Sequence, residues 1–449
     1  MSKSTAAQVT GVAEDLAARI QDGSLRPGTA LPTHRQLAAT HGIAISSATK
    51  VYAKLKSIGL VVGETGRGTF VRDRPPQREW DGDDEARLHR SAVDLSFNHP
   101  TLPGQAELLR NMLRELAASG DLSALMRQQP PGGRLHERQI VADHLKQRRG
   151  VQAEARHVFL VNGAQQGLDI AARALLEPHD AVAVDALTYP GFRMLAASQH
   201  LSLKPVSALA DGPDLDALDA LCRRGRIRAI YTMPTLHNPL GWVLSARQRQ
   251  GLVDIARRHD CLLIEDASYA FLAHQAPPAL AALAPERTVY VSSLSKSLSS
   301  GLRCGFVLAP QDRAGRFKAA IRASYWSLPG VITAMASRWI ADGTVARQEA
   351  LLRQDARERQ AIARDVLAGM DVTANPNSMF LWLALPEDLR MDRMAMALAE
   401  RGIAVSKAQA YATTRHVPHA LRLGLSSPPL VQLRAVLEQL RHTIEQFPI

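Results

Sequence analysis

Residues 292–306, Ser-Ser-Leu-Ser-Lys-Ser-Leu-Ser-Ser-Gly-Leu-Arg-Cys-Gly-Phe, constrain this chain more than any other stretch. They follow Thr288-Val289-Tyr290-Val291, a short apolar run that reads as a strand. Lys296 therefore lies just past a strand end, with Ser293 and Ser295 beside it and Arg303 seven positions on. A lysine amine condenses with an aldehyde, hydroxyls bind a phosphate, and a guanidinium neutralises it. A covalently held phosphate cofactor needs this set of groups. Taken alone, the stretch also reads as a Ser-rich loop with a solvated lysine.

Other segments narrow the choice. Asp266 follows a continuous apolar run, Cys261-Leu262-Leu263-Ile264, and Glu265. An aspartate at the carboxyl end of a buried parallel strand faces the ligand crevice of an open α/β sheet. There it holds a pyridine nitrogen protonated, which makes pyridoxal phosphate an electron sink. Tyr269, three residues on, is placed to donate to the ring oxygen. Residues 157–161 read as a strand, 162–166 as a turn and 167–176 as a helix. Free N–H groups at that helix start, around Ala164 and Gln165, would cradle the phosphate.

In this order the segments resemble fold-type I aminotransferases, from about residue 93 to the end of the chain. The resemblance implies several further roles. Asn238, in His237-Asn238-Pro239-Leu240-Gly241, matches an asparagine that bonds the ring oxygen. Leu240 stands where a threonine is usual. Tyr189 matches the aromatic that stacks on the pyridine ring. Arg422, in Leu421-Arg422-Leu423-Gly424, matches the arginine that clamps a substrate α-carboxylate in a bidentate pair. Lys296, Asp266 and Tyr189 are then the catalytic set. The implied fold is a mixed, mostly parallel sheet with flanking helices, plus a smaller C-terminal α+β subdomain.

The first seventy or so residues tell a second story. Residues 9–20 are helical, with Val9, Val12, Ala13, Leu16 and Ile20 on one face. A Pro/Gly turn at 26–28 precedes a helix with Thr33 as N-cap. A Gly-containing turn at 41–43 leads to a helix over 46–57. Residues 59–63 and 66–71 make a basic hairpin. Two short helices and a hairpin read as a winged helix-turn-helix. The spacing from Gly23 through Pro32-Thr33-His34-Arg35-Gln36-Leu37-Ala38, and the closing Gly66-Arg67-Gly68-Thr69-Phe70-Val71, resemble GntR-type DNA-binding domains. Residues 1–74 hold 10 Lys+Arg against 5 Asp+Glu, so nearly half of the +11 net charge sits in this short segment. A basic face attracts DNA phosphates. The expected contacts are Arg35, Ser46, Ser47, Thr49, Lys50, Arg67 and Thr69. Many GntR domains carry an arginine early in the recognition helix; here Ile45 takes that position, so the operator does not follow by analogy.

The expected organisation is a winged helix-turn-helix over 1–73, a polar linker over 74–92 with Trp80 as its apolar anchor, and the aminotransferase-like domain over 93–449. No run approaches the ~18 apolar residues of a membrane span, and no signal-peptide core is present. Cys222, Cys261 and Cys304 are scattered and odd in number, without metal spacing. A reduced, cytoplasmic protein with no metal site is expected. His34, His41 and His237 read as structural or surface residues. The Arg/Glu-rich run 348–364 reads as a solvated helix face.

Together the halves resemble the MocR/GabR subfamily of GntR regulators. That resemblance implies a homodimer that binds double-stranded DNA, holds pyridoxal 5'-phosphate and senses an amine or amino acid by exchange at Lys296. The alternative is a working aminotransferase that carries a DNA-binding domain. The subfamily often has a tyrosine that reaches the partner's cofactor phosphate; Gln128 reads as its counterpart here.

Overall fold

The structure, a computed structural model, describes residues 3–21, 24–25, 29–57, 60–64, 68–71, 93–100, 102–386, 389 and 391–447. Spatial contacts divide the chain into two units, Met1–Arg87 and Leu88–Ile449. The linker expected over 74–92, Trp80 and Arg67 lie outside the described residues.

In the first unit, helices α1 (Lys3–Gln21), α2 (His34–His41) and α3 (Ile45–Ser57) precede a hairpin of β1 (Val61–Glu64) and β2 (Gly68–Val71). The apolar stripe of α1 buries Val9, Ala13, Leu16 and Ile20 against Leu37, Ala48, Val51 and Leu55. Such i, i+3, i+4 spacing leaves the opposite face polar. A capping box starts α2: the Thr33 side chain accepts from the Gln36 N–H, and Gln36 Oε1 accepts from the Thr33 N–H. Removing that cap costs about 1 kcal/mol. Gly42, at φ 60°, ends α2 in the left-handed conformation that glycine adopts without strain. Val61 lies opposite Val71, and both are buried. This is the winged helix-turn-helix.

The second unit is built on seven strands: β3 (Val158–Val161), β4 (Ala181–Asp185), β5 (Ser202–Val206), β6 (Ile227–Thr232), β7 (Leu262–Asp266), β8 (Thr288–Ser293) and β9 (Gly305–Leu308). Their spatial order is β3-β9-β8-β7-β6-β4-β5. Only β9 runs antiparallel to its neighbours. Central strands β7 and β8 are buried throughout, as a sheet covered by helices on both faces requires. Asp185, Thr232, Asp266 and Ser293 end their strands, and the segments that follow carry Tyr189, Asn238, Tyr269 and Lys296. The crevice at the carboxyl ends of the strands thereby gathers groups far apart in the chain.

A smaller sheet of β10 (Val372–Ala374), β11 (Phe380–Ala384), β12 (Ser406–Lys407) and β13 (Ala420–Gly424), in the order β10-β11-β13-β12, packs with helices Met391–Glu400 and Leu430–Glu445. This is the expected α+β subdomain. Val93–Asp94 pairs in parallel with Ile403–Ala404, which ties the start of this unit to the subdomain.

Two expectations are corrected. The helix expected over 167–176 is Gly163–Leu175, so the supposed turn residues Ala164 and Gln165 form its first turn. The run 348–364 lies in helix Thr344–Val366 and is solvated on one side only: Gln354, Arg357, Glu358 and Arg364 are exposed, but Gln348, Glu349, Arg359 and Gln360 are buried. Arg359 Nη1 donates to the carbonyls of Leu425 and Pro428 at 2.7 Å, and Gln360 Nε2 to those of Ser378 and Phe380 at 2.8 and 2.9 Å. Polar side chains are buried at this cost only when such partners exist, and a charge pattern alone does not reveal them.

Candidate functional site

Helix Gly163–Leu175 aims its N-terminus at the end of the chain's lysine segment. Its first-turn N–H groups, Ala164 and Gln165 included, lack intrahelical partners. Arg303 lies across that end, with Nη2 3.3 Å from the Asn162 carbonyl and Nη1 3.5 Å from Ser295 Oγ. A Cβ on Gly163 would stand 2.7 Å from Arg303 Nη2, so glycine is what lets the guanidinium settle there. Arg303 itself adopts φ 49°, a left-handed backbone uncommon outside glycine. Ser293 Oγ accepts from the Ser295 N–H at 3.4 Å. A helix start, two hydroxyls and a guanidinium together suit a dianionic phosphate. The Gln165 side chain points elsewhere: its Nε2 donates to the Gly191 carbonyl at 2.8 Å. Its offer to a phosphate is therefore the backbone N–H.

Asp266, 2% exposed, ends β7 at the centre of the site. Tyr231 OH donates to its Oδ2 at 3.1 Å, and the Ser268 N–H and hydroxyl to its Oδ1 at 3.0 and 2.6 Å. None of these donors is a cation. Burial pushes the Asp266 carboxyl up, against these hydrogen bonds. The Tyr189 hydroxyl is pushed up by burial and then by the Asp266 charge. Gly191 makes room for the Tyr189 ring, since a Cβ there would lie 2.5 Å from it. Asn238 is buried and its Oδ1 has no partner among the described residues. Its turn is closed by Gly241 N–H to the His237 carbonyl, 2.6 Å, and His237 N–H to the Trp242 carbonyl, 3.0 Å. His237, fully buried, stacks on Trp242 at 3.9 Å and faces Asp185 with Nε2 3.4 Å from Oδ2.

Lys296 Nζ donates to the Asn98 carbonyl at 2.6 Å. The Asn98 amide is oriented by its neighbours: its oxygen accepts from Arg422 Nη2 at 2.5 Å and from Tyr269 OH at 3.1 Å, while its nitrogen donates to Met379 O and Ser426 Oγ. Burial opposes ionisation of Tyr269, but Lys296 and Arg422 outweigh it and hold the phenol below its ordinary range. Arg422 is buried, lies 4.6 Å above the Phe380 ring and gives Nη1 to the Ser96 carbonyl at 3.2 Å. Its Nε is buried without a partner among the described residues. Two of the five guanidinium N–H groups are thus engaged by the protein, which leaves donors for a ligand carboxylate. Burial, then the Lys296 charge, holds neighbouring His99 below the ordinary imidazole range.

The residues fit pyridoxal phosphate. The phosphate cup, a buried carboxylate without a cation and a lysine at the crevice are the three demands of that cofactor. Lys296, Tyr269 and Arg422 meet through Asn98, and Arg303 and Ser293 meet at Ser295; Asp266 ends β7, and Tyr189 and Asn238 follow the carboxyl ends of β4 and β6 in the same sheet. Ser96, Asn98 and Tyr231 were not anticipated. No motif marks them; they enter through strand pairing and through the segment that follows Val93–Asp94.

In the first unit, Arg35 on α2 and Ser46, Thr49 and Lys50 on α3 are exposed, as is Ile45. Thr49 Oγ1 donates to the Ile45 carbonyl at 3.1 Å. Ser47 is only 4% exposed and packs into the core. Its hydroxyl is not presented to a groove, a correction that follows from its place on the inner face of α3. Thr69 is half-buried in β2, and its carbonyl accepts from the Leu31 N–H at 2.8 Å.

No helix among the described residues is long and apolar enough to cross a membrane. The sequence matches the family Aminotransferase class I and II over residues 90–440, and Bacterial regulatory proteins, gntR family, over residues 8–71. It is 28% identical over 451 residues to the HTH-type pyridoxine biosynthesis transcriptional regulator PdxR of Corynebacterium glutamicum, covering 97% of this chain and 95% of that one. It is 27% identical over 435 residues to the uncharacterized HTH-type transcriptional regulator YdeF of Bacillus subtilis, covering 95% and 92%. Among solved structures, an archaeal alanine:glyoxylate aminotransferase superposes with a TM-score of 0.76 at 21% identity, covering 82% of this chain and 94% of that one. Pyrococcus horikoshii kynurenine aminotransferase, solved with PMP, superposes with a TM-score of 0.75 at 21% identity, covering 83% and 97%. The chain belongs to the aminotransferase class I and II family and carries a gntR-family domain at its N-terminal end, the combination found in MocR/GabR-type regulators.

Proposed function

We propose that the chain is a DNA-binding transcriptional regulator that holds pyridoxal phosphate at Lys296 and senses an amine or amino acid there. The observation that carries this reading is the union, in one polypeptide, of a winged helix-turn-helix and a crevice with a lysine, a buried carboxylate and a phosphate cup. Relatives that span nearly the whole chain, named as transcriptional regulators, support it.

When bound, the cofactor supplies an aldehyde that reacts with amines and a ring that takes up electrons. The protein's own groups do the rest. The helix start, Ser293, Ser295 and Arg303 hold the phosphate, and Tyr189 covers the ring. Asp266 keeps a proton on the ring nitrogen, and Tyr231 and Ser268 keep Asp266 in place. Asn238 and Tyr269 would offer hydrogen bonds to the ring oxygen. Lys296 would hold the cofactor through its amine, and Arg422 would pair with a ligand carboxylate where one is present.

In this reading the chain works as a homodimer in the cytoplasm. Its first unit reaches one half-site of a double-stranded operator through Arg35, Ser46, Thr49, Lys50, Arg67 and Thr69. A ligand shifts DNA affinity only as far as it prefers one arrangement of the protein over another. One observation also favours a working aminotransferase: Lys296, Asp266 and Arg422 are all present, so transamination is chemically open. Titration of the holoprotein with a panel of amines, read in parallel by visible absorption, DNA binding and keto-acid release, separates the two. A spectral change that travels with DNA affinity supports the regulator, and rapid keto-acid turnover without any change in DNA affinity overturns it.

A further inference from the structure

Along β7 successive side chains alternate between faces. Asp266 faces the cofactor crevice, so Glu265 points to the opposite side of the sheet. There it lies beside Tyr290, its partner in β8. These two form the floor of a separate cavity of about 260 Å³, together with Arg249, Glu349 and Arg149. Arg148 and Arg353 stand at its mouth.

The floor is built rather than incidental. Arg249 is 1% exposed and gives Nε to the Leu244 carbonyl and Nη2 to the Pro234 carbonyl and Thr235 Oγ1, at 3.0, 2.9 and 2.8 Å. Glu265, 2% exposed, accepts the Ala281 N–H at 2.9 Å. Arg149 pairs with Glu349. Arg353 is held by a 3.0 Å bond from Nη1 to the Phe271 carbonyl. The Tyr290 side chain, 1% exposed, has no hydrogen-bond partner among the described residues and is not sealed away from the cavity.

Charge decides what this cavity takes. Four guanidiniums, those of Arg148, Arg149, Arg249 and Arg353, face two carboxylates. Glu349 is already occupied by Arg149, and burial pushes Glu265 up to about 7, so near neutrality it is partly uncharged. A recess with a surplus of fixed positive charge and a free phenol favours an anion. Its volume is below the range of about 300–1,000 Å³ for drug-sized ligands, which limits the anion to a few heavy atoms. We infer that this cavity is a second ligand site, for a small di- or trivalent anion of the carboxylate or phosphate class, on the face of the sheet opposite Lys296.

The test uses full-length protein saturated with pyridoxal phosphate, so that the phosphate cup near Arg303 is filled. Calorimetric titrations at pH 8 are run with inorganic phosphate and, separately, with malonate, to tell the two anion sources apart. Saturable binding of at least one is expected. Arg148→Gln and Arg353→Gln, both at the mouth, should each weaken it about tenfold or more, as loss of a charge-assisted contact does. Arg303→Gln should leave it unchanged. Glu265→Gln removes a competing negative charge at similar size and should tighten binding severalfold, a direction that a merely structural role does not produce. Thermal unfolding verifies that each variant is folded. Absence of saturable binding for both anions, or binding insensitive to Arg148 and Arg353 but lost in Arg303→Gln, overturns the proposal.

Discussion

The two units of this chain hold their functional groups in opposite ways. In the small unit the candidate DNA contacts are exposed side chains on neighbouring helices, close together in sequence and resting on an apolar core. In the large unit Asp266, Asn238, Tyr269, Ser293, Ser295 and Arg422 are buried, Lys296 and Tyr189 are half-buried and Arg303 is exposed, and the set is brought together from distant segments; Arg422 and the Ser96 carbonyl it reaches are 326 positions apart. A contact face of the first kind tolerates exchange of one residue, because water replaces each lost partner. A buried site does not, because each removed partner leaves another unsatisfied. Single substitutions should therefore act in an all-or-none manner in the large unit and gradually in the small one.

The largest effect is expected at Lys296. Lys296→Ala should abolish the visible absorption of the lysine-bound cofactor and its capture by borohydride, while DNA affinity stays within about threefold of wild type. A cofactor adduct still reducible onto the protein in that variant removes Lys296 from its role. Next comes Asp266→Asn. Its charge is lost but its size is kept, so phosphate-anchored cofactor should remain while the rate of spectral change with amines falls by roughly a hundredfold, or about 2.7 kcal/mol. Unchanged rates, measured by stopped flow, mean that Asp266 does not tune the ring.

In the small unit, Arg35→Ala should weaken DNA binding only about five- to tenfold and lower the salt slope by about one if the guanidinium meets a phosphate. A loss of binding as complete as that of cofactor attachment in Lys296→Ala breaks the contrast between the units. Ser47→Ala, in the core, should leave the salt slope alone.

The last effect concerns pH and the large unit alone. His144 is 6% exposed, and burial, followed by Arg149 and Arg148, lowers its pKa to about 3. Its folded pKa lies below the unfolded value near 6.5, so its contribution to stability is full above about pH 6.5 and is lost as pH falls toward 3. At pH 5 the loss amounts to about 2 kcal/mol. His144→Leu should remove that part of the acid sensitivity of the large unit. Identical pH profiles for the variant and the wild type, followed by thermal unfolding, contradict this.

The same contrast explains what was legible in the sequence. Each strand-to-turn segment around Asn162, Tyr189, Asn238, Asp266 and Lys296 is local, and the order of these segments carried the resemblance that implied the sheet and the crevice. The capping box at Thr33 and Gln36 is equally local. Tyr231 was invisible because only the pairing of β6 with β7 brings its hydroxyl to Asp266. Asn98 and Ser96 lie in a segment without any motif, and their link to Arg422 depends on the subdomain closing on the start of the unit. Ser47 looked like its exposed neighbours because helical phase near a turn is ambiguous by one residue. Charge in 348–364 hid the carbonyls that receive Arg359 and Gln360.

The central claim is that exchange at Lys296 controls DNA affinity, and one measurement tests it most directly. DNA selected by the wild-type protein from a random pool is titrated with holoprotein, by anisotropy, in the absence and presence of a saturating amine that changes the visible spectrum. The same titration is repeated with Lys296→Ala. The account predicts that the amine shifts wild-type affinity at least fivefold, or about 1 kcal/mol of coupling, and leaves Lys296→Ala unmoved. An equal shift in both proteins, or a shift in neither, contradicts it.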